Sequence, residues 1–138
     1  MARVMVFGTF DQLHPGHRAY FRQAIRFGTE LVAIVARDEN ARKFKGRSPM
    51  QSERTRVRRV RTALKEMGIA GRAALGDLNN RWLVIRKYKP SVICLGYDQQ
   101  IDLAQLKSEI GRFRLFCKIK RMKSFHPEKY KSSYFRKR

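Results

Sequence analysis

Two histidines, His14 and His17, stand three residues apart in the stretch FGTFDQLHPGH, residues 7–17. At that spacing around a helix start, two imidazoles face the same way. They can meet neighbouring anionic oxygens, contribute to a metal site, or serve as ordinary surface or cap residues. A zinc site wants three or four ligands, and HxxH lacks the rest, which ranks a metal low. The residues before the pair favour an anion. An apolar, β-branched run at 4–7 reads as a buried strand, it breaks at Gly8, and the Pro15–Gly16 pair precedes a helical pattern. Glycine lets backbone amides approach a phosphate, and a helix start carries the positive end of the peptide dipoles.

Positioning such a pair requires a scaffold, and the hydrophobic pattern supplies one. Five short apolar runs recur at 4–7, 31–36, 73–75, 92–95 and 115–119, each followed by a helix-like stretch. The spacing predicts a helix over 17–27, with Ala19, Tyr20, Ala24, Ile25 and Phe27 available for a buried stripe. The clearest helix follows Ser48 as cap, Pro49 at the first position and Gln51 completing a capping box. Val57, Val60, Leu64 and Met67 form its apolar stripe, Arg54, Arg56, Arg58, Arg59 and Arg61 lie off it, and Gly68 ends it. Two more helices are expected over 80–88, stopped before Pro90, and over 102–111. This alternation predicts an α/β, Rossmann-like three-layer sandwich with a five-stranded, mainly parallel sheet, as a single domain over 1–138. Ligands of such folds bind beyond the carboxyl ends of the strands, so residues 8–17, 37–39, 76–77 and 96–99 are the places to look.

Bulk composition narrows the partners. With 43% apolar residues the chain reads as globular, and no apolar run is long enough to cross a bilayer. The stretch MARVMVFG is too short in apolar residues for a signal-peptide core, and Cys94 and Cys117 sit in apolar runs as reduced, packed thiols; a cytoplasmic protein without a membrane partner is expected. The formal charge of +21 attracts polyanions. That surplus, the arginine-rich stretch 54–61 and a basic segment over about 121–138 support a second reading of another class, a nucleic-acid-binding protein on the same fold. Against it, no aromatic residues interleave with the cations as stacking platforms. Weak RNA association alongside catalysis is the milder expectation.

FGTFDQLHPGH resembles the signature of the HxGH nucleotidyltransferases, the cytidylyltransferase-like superfamily, which includes glycerol-3-phosphate cytidylyltransferases and archaeal-type FAD synthetases. Gly8, Phe10, Asp11, His14, Gly16 and His17 match the pattern GxFDxxHxGH. The resemblance implies transfer of a nucleoside monophosphate from ATP or CTP to a phosphate-bearing acceptor. Pyrophosphate leaves, no covalent intermediate forms, and Mg²⁺ or another divalent cation accompanies the nucleotide. It implies that His14 and His17 meet the α- and β-phosphates, and that Gly8, Thr9, Phe10, Asp11 and Gly16 shape the nucleotide site.

Residues 34–49, IVARDENARKFKGRSP, resemble the family's lysine-bearing segment. Lys43 and Lys45 then supply cations for the triphosphate and acceptor phosphate, with Asp38 and Arg54 on the acceptor side. ICLGYDQ, residues 93–99, resembles the loop that lies against base and ribose, which implicates Gly96, Asp98 and Gln99. YKSSYFRKR, residues 130–138, resembles the carboxyl-terminal phosphate motif, with Ser132 and Ser133 as donors and Arg136 as the neutralising cation. The segments after the second and fourth strands tilt the reading toward an FMN adenylyltransferase over a glycerol-3-phosphate cytidylyltransferase. Relatives of this kind are often homodimers.

Overall fold

A computed structural model describes residues 2–124, apart from the side chains at 44 and 45. Its five strands are β1 (Arg3–Gly8), β2 (Glu30–Val35), β3 (Gly71–Leu75), β4 (Val92–Leu95) and β5 (Lys118–Arg121). They form one sheet in the order β3-β2-β1-β4-β5, and every pairing is parallel, so the sheet is wholly rather than mainly parallel. The helices are α1 (Pro15–Ile25), α2 (Asp38–Lys45), α3 (Glu53–Glu66), α4 (Leu83–Tyr88) and α5 (Leu103–Arg112). Among the described residues no helix is long and apolar enough to cross a membrane.

Strand pleating sorts the core into two layers. Val4 and Val6 of β1 pack with Phe21 and Ala24 of α1 and with Val60 and Leu64 of α3. Met5 and Phe7 turn to the other face, against Ile85 of α4 and Leu106 and Ile110 of α5. The chain runs outward from β1 through β2 to β3, then returns to the far side of β1 as β4. The strand order therefore switches between β1 and β4, and a crevice opens where their carboxyl ends diverge.

Several local expectations are corrected. α3 starts at Glu53, not beside Ser48 and Pro49, and its cap is Ser52, whose hydroxyl accepts the Thr55 amide at 3.3 Å. Arg56 is not on a solvated face; its side chain is wholly buried. α2 has no counterpart in the sequence reading, because its start is held from a distance. Glu53 Oε1 accepts the Asp38 amide at 2.9 Å and Asp38 Oδ2 accepts the Glu53 amide at 3.2 Å, so two helix starts cap each other. α4 begins at Leu83 rather than 80, since Asp77 draws the Asn79 and Asn80 amides into a turn. β5 lies three residues beyond the expected start, in KIKR, and α1 begins two residues earlier than expected, at Pro15.

Candidate active site

The loop after β1 folds back on its own strand. A Cβ at Gly8 would stand 2.7 Å from Phe10 Cζ, so the glycine makes room for the Phe10 ring rather than only for a ligand. Phe10 and Gln12 take left-handed backbone angles, φ 54° and 51°, each costing roughly 1–2 kcal/mol for a residue with a side chain. Two anchors hold them there. Phe10 is buried against Phe21 at 5.2 Å between ring centroids. Between the two lies Asp11, 2% exposed, which accepts the Met50 amide at 2.7 Å and the Gln51 amide at 2.9 Å. Gln51 in turn accepts the Gln12 amide at 3.0 Å. The stretch 48–52 is thus a strap that fixes the loop, and Asp11 shapes the site through backbone amides.

The histidines close the loop at the start of α1. His14 is the N-cap, and its Nδ1 accepts the Gly16 amide at 3.1 Å. His17 Nδ1 accepts the His14 amide at 3.2 Å, completing a reciprocal box made of two imidazoles. A backbone amide can only donate, so both Nδ1 atoms are unprotonated and each ring carries its proton on Nε2. The rings stack with centroids 3.8 Å apart and planes 26° from parallel. His14 is buried, and burial lowers its pKa to about 4. It is therefore neutral near pH 7 and offers an Nε2–H donor without a charge. Both rings sit at a helix start, where the amide dipoles favour an anion.

Behind the loop lies the residue that sequence reasoning missed. The Arg56 guanidinium donates to Gln51 O at 3.1 Å, to Thr9 O and Ala36 O at 2.8 Å each, and to the Asp38 carboxylate. It ties the chain just beyond β1 and β2, the strap and the start of α2 to α3. A signal was present, since Arg56 precedes Val60 by four residues and Ala63 by seven, in phase with the buried stripe. Its charge hid it.

The other side of the crevice is braced in the same manner. Residues 96–99 form a turn in which Gln99 Oε1 accepts the Gly96 amide at 3.0 Å while Gln99 Nε2 donates to Phe7 O at 2.9 Å. That amide bridges the ends of β4 and β1 at the switch point. Arg121 secures the turn from β5 by donating to Gly96 O and Gln99 O, both at 2.8 Å, and the Tyr20 hydroxyl donates to Cys94 O.

The structure thus places Gly8, Thr9, Phe10, Asp11, His14, Gly16, His17, Gly96 and Gln99 at or just beyond the carboxyl ends of the adjacent strands β1 and β4. Asp98 is exposed at the tip of its turn, Asp38 is engaged with Arg56 and the Glu53 amide, Lys43 is exposed on α2, and Arg54 is exposed on α3. The Lys45 side chain lies outside the described residues, as do Ser132, Ser133 and Arg136. Among the described residues no three His, Cys, Asp or Glu side chains gather to hold a metal, and both oxygens of Asp11 receive amides.

A family model described as cytidylyltransferase-like matches residues 5–138. The chain is 37% identical to an FAD synthase of Thermoplasma volcanium over 138 residues, all of this chain and 94% of the relative. It is 39% identical to an FAD synthase of Archaeoglobus profundus over 96% of this chain and 82% of the relative. A crystal structure described as a lipopolysaccharide core biosynthesis protein from Thermoplasma volcanium superposes with a TM-score of 0.81 at 38% identity, covering 91% of this chain and 98% of that one.

Proposed function

The chain belongs to the cytidylyltransferase-like family and is a nucleotidyltransferase, and on that premise we propose that it adenylylates FMN. In this reaction an oxygen of the FMN phosphate attacks the α-phosphorus of ATP. The bond from that phosphorus to the α,β-bridging oxygen breaks, pyrophosphate leaves with the electron pair, and FAD is formed. Support for this acceptor comes from relatives named FAD synthase that match nearly the whole chain.

Such a transfer needs alignment and neutralised charge more than covalent chemistry. The Nε2–H groups of His14 and His17 donate to the α- and β-phosphate oxygens, with the start of α1 behind them. A neutral His14 suits the task, because its Nδ1 must stay unprotonated to hold the Gly16 amide. Gly8, Thr9, Phe10, Asp11 and Gly16 give the loop its shape, and Gly96, Asp98 and Gln99 flank the base and ribose. Lys45 and Arg136 neutralise the charge that develops on the leaving pyrophosphate, Ser132 and Ser133 donate to the phosphates, and Asp38, Lys43 and Arg54 serve the acceptor side. Enzymes of this class generally take their nucleotide with a divalent cation, and Mg²⁺ is proposed as the ion carried in on ATP. It contributes charge neutralisation on the phosphates.

The observation that carries the reading is the pair of stacked histidines in mutual capping at the switch point. Incubating the protein with each pairing of ATP or CTP with FMN or glycerol 3-phosphate, with and without Mg²⁺, tests it by pyrophosphate release. Turnover is expected only with ATP, FMN and the cation together, with FAD as the second product. Faster turnover of CTP with glycerol 3-phosphate would overturn the assignment of nucleotide and acceptor.

A further inference from the structure

The two helical layers carry different charge chemistry. On α1 and its C-cap, Arg18, Arg22 and Arg26 recur every fourth residue and share one side. On α3, Arg54, Arg58, Arg61 and Lys65 form a matching exposed row, and Arg59 stands beside it. Seven of these eight cations are arginines, against one exposed acid on the two helices, Glu66, which pairs with Arg18 at 3.2 Å. The opposite layer is mixed. There Arg86, Lys87 and Lys107 are exposed, and Arg112 pairs with Glu109 at 3.3 Å. Diffuse surface charge would not choose arginine on one face. Guanidinium does differ from ammonium in binding phosphate through a planar, two-pronged set of donors.

Arg22, Arg58 and Arg59 make no hydrogen bond or ion pair among the described residues. Between the helices a groove of 710 Å³ is lined by Arg18, Arg58, Arg59, Thr62 and Glu66, and it opens onto His14 and its loop. The exposed row on α3 runs from position 54 to position 65, about 16 Å at 1.5 Å per residue. That length exceeds what one small phosphate ester occupies and suits a run of phosphates.

We propose that the α1–α3 face binds the phosphodiester backbone of a polynucleotide, without regard to base sequence and as a function separate from nucleotidyl transfer. α3 carries no aromatic residue among its cations, which fits a backbone-only mode. Binding of the full chain to a labelled RNA hairpin, and to a DNA duplex of the same sequence, tests this across a salt series by fluorescence anisotropy. Two triple variants are compared: Arg22→Gln with Arg58→Gln and Arg59→Gln, and Arg86→Gln with Lys87→Gln and Lys107→Gln. Urea unfolding confirms that each is folded.

Both variants lose three positive charges, so a difference between them reports the position and guanidinium character of the lost groups rather than net charge. The first triple is expected to weaken binding more than tenfold and to flatten the log K against log salt slope by about 2 to 3, as for three lost phosphate contacts. The second is expected to stay within twofold of the parent. Tighter binding of the RNA or of the DNA supports phosphate recognition and identifies the preferred polynucleotide, and equal binding of both supports recognition of the phosphodiester backbone alone. Equal weakening by the two triples, an unchanged slope in the first, or equally tight binding of polyglutamate would overturn the proposal.

Discussion

His14 Nδ1 accepts the Gly16 amide at 3.1 Å, and the same ring stacks on His17. Capping and the proposed substrate contact therefore fall to different nitrogens of one imidazole, and a substitution can separate them. Asparagine is a good N-cap, so His14→Asn retains the helix start while removing the Nε2–H donor. Turnover is expected to fall by roughly 10²–10³, the usual cost of one donor aimed at developing charge, with little change in stability at pH 7. Parental turnover in this variant would remove His14 from the mechanism. The same residue sets a pH dependence. Its pKa is about 4 in the folded chain against 6.5 ordinarily, so below pH 6.5 the unfolded chain takes up the proton more readily. Stability is then lost as pH falls from about 6.5 through 4, amounting to about 2 kcal/mol between pH 7 and 5. Urea unfolding at the two pH values should show that loss in the parent and a smaller one, by a similar amount, in His14→Asn. Identical pH slopes would show that the imidazole titrates normally in the fold.

At the scale of elements, the site depends on how α2, α3 and the strap at 48–52 converge on the strand ends. Arg56 holds three backbone carbonyls and the Asp38 carboxylate from full burial, whereas the Asp38 side chain is 43% exposed. Arg56→Met strips the donors from all four groups and is expected to cost about 3–5 kcal/mol. Asp38→Asn leaves the three carbonyl bonds in place and is expected to cost about 1–2 kcal/mol. Equal urea midpoints for the two variants would show that the carbonyl contacts carry no weight. These long-range ties also decide what the sequence could reveal. The β1–α1 unit was legible because its determinants are neighbours: an apolar run, Gly8, the two histidines and Pro15. α2 was not, because its N-cap Arg37 makes no side-chain cap and the capping carboxylate comes from Glu53, fifteen residues on. Asp11 was readable as a motif residue, but its amide partners at Met50 and Gln51 were not. β5 was displaced because KIKR is an edge strand with little to bury, so the apolar run just before it gave the stronger pattern.

Across the whole molecule, thirty-two Lys and Arg oppose eleven Asp and Glu. Pairs such as Arg3–Glu30, Arg37–Glu53 and Arg56–Asp38 already engage some of the acids, so most added contacts between charges are repulsive. Folding brings these cations closer than they lie in an expanded chain, which makes net charge a destabilising contribution. Salt shortens the range of that repulsion to about 8 Å at physiological ionic strength, while the Arg56–Asp38 pair, whose guanidinium is buried, is screened less. Stability should therefore rise with sodium chloride. A gain of about 1 kcal/mol would lift Tm by roughly 3–5 °C for a chain of this size. The rise should be larger in the parent than in either triple variant, because each has lost three mutually repelling charges. Calorimetry over a chloride series separates this effect from ligand binding, since a specific anion site would saturate and favour pyrophosphate over chloride at equal ionic strength. A Tm that falls with chloride would mean that attractive pairs outweigh the surplus, and the cationic face would then be a stabilising feature of the fold itself.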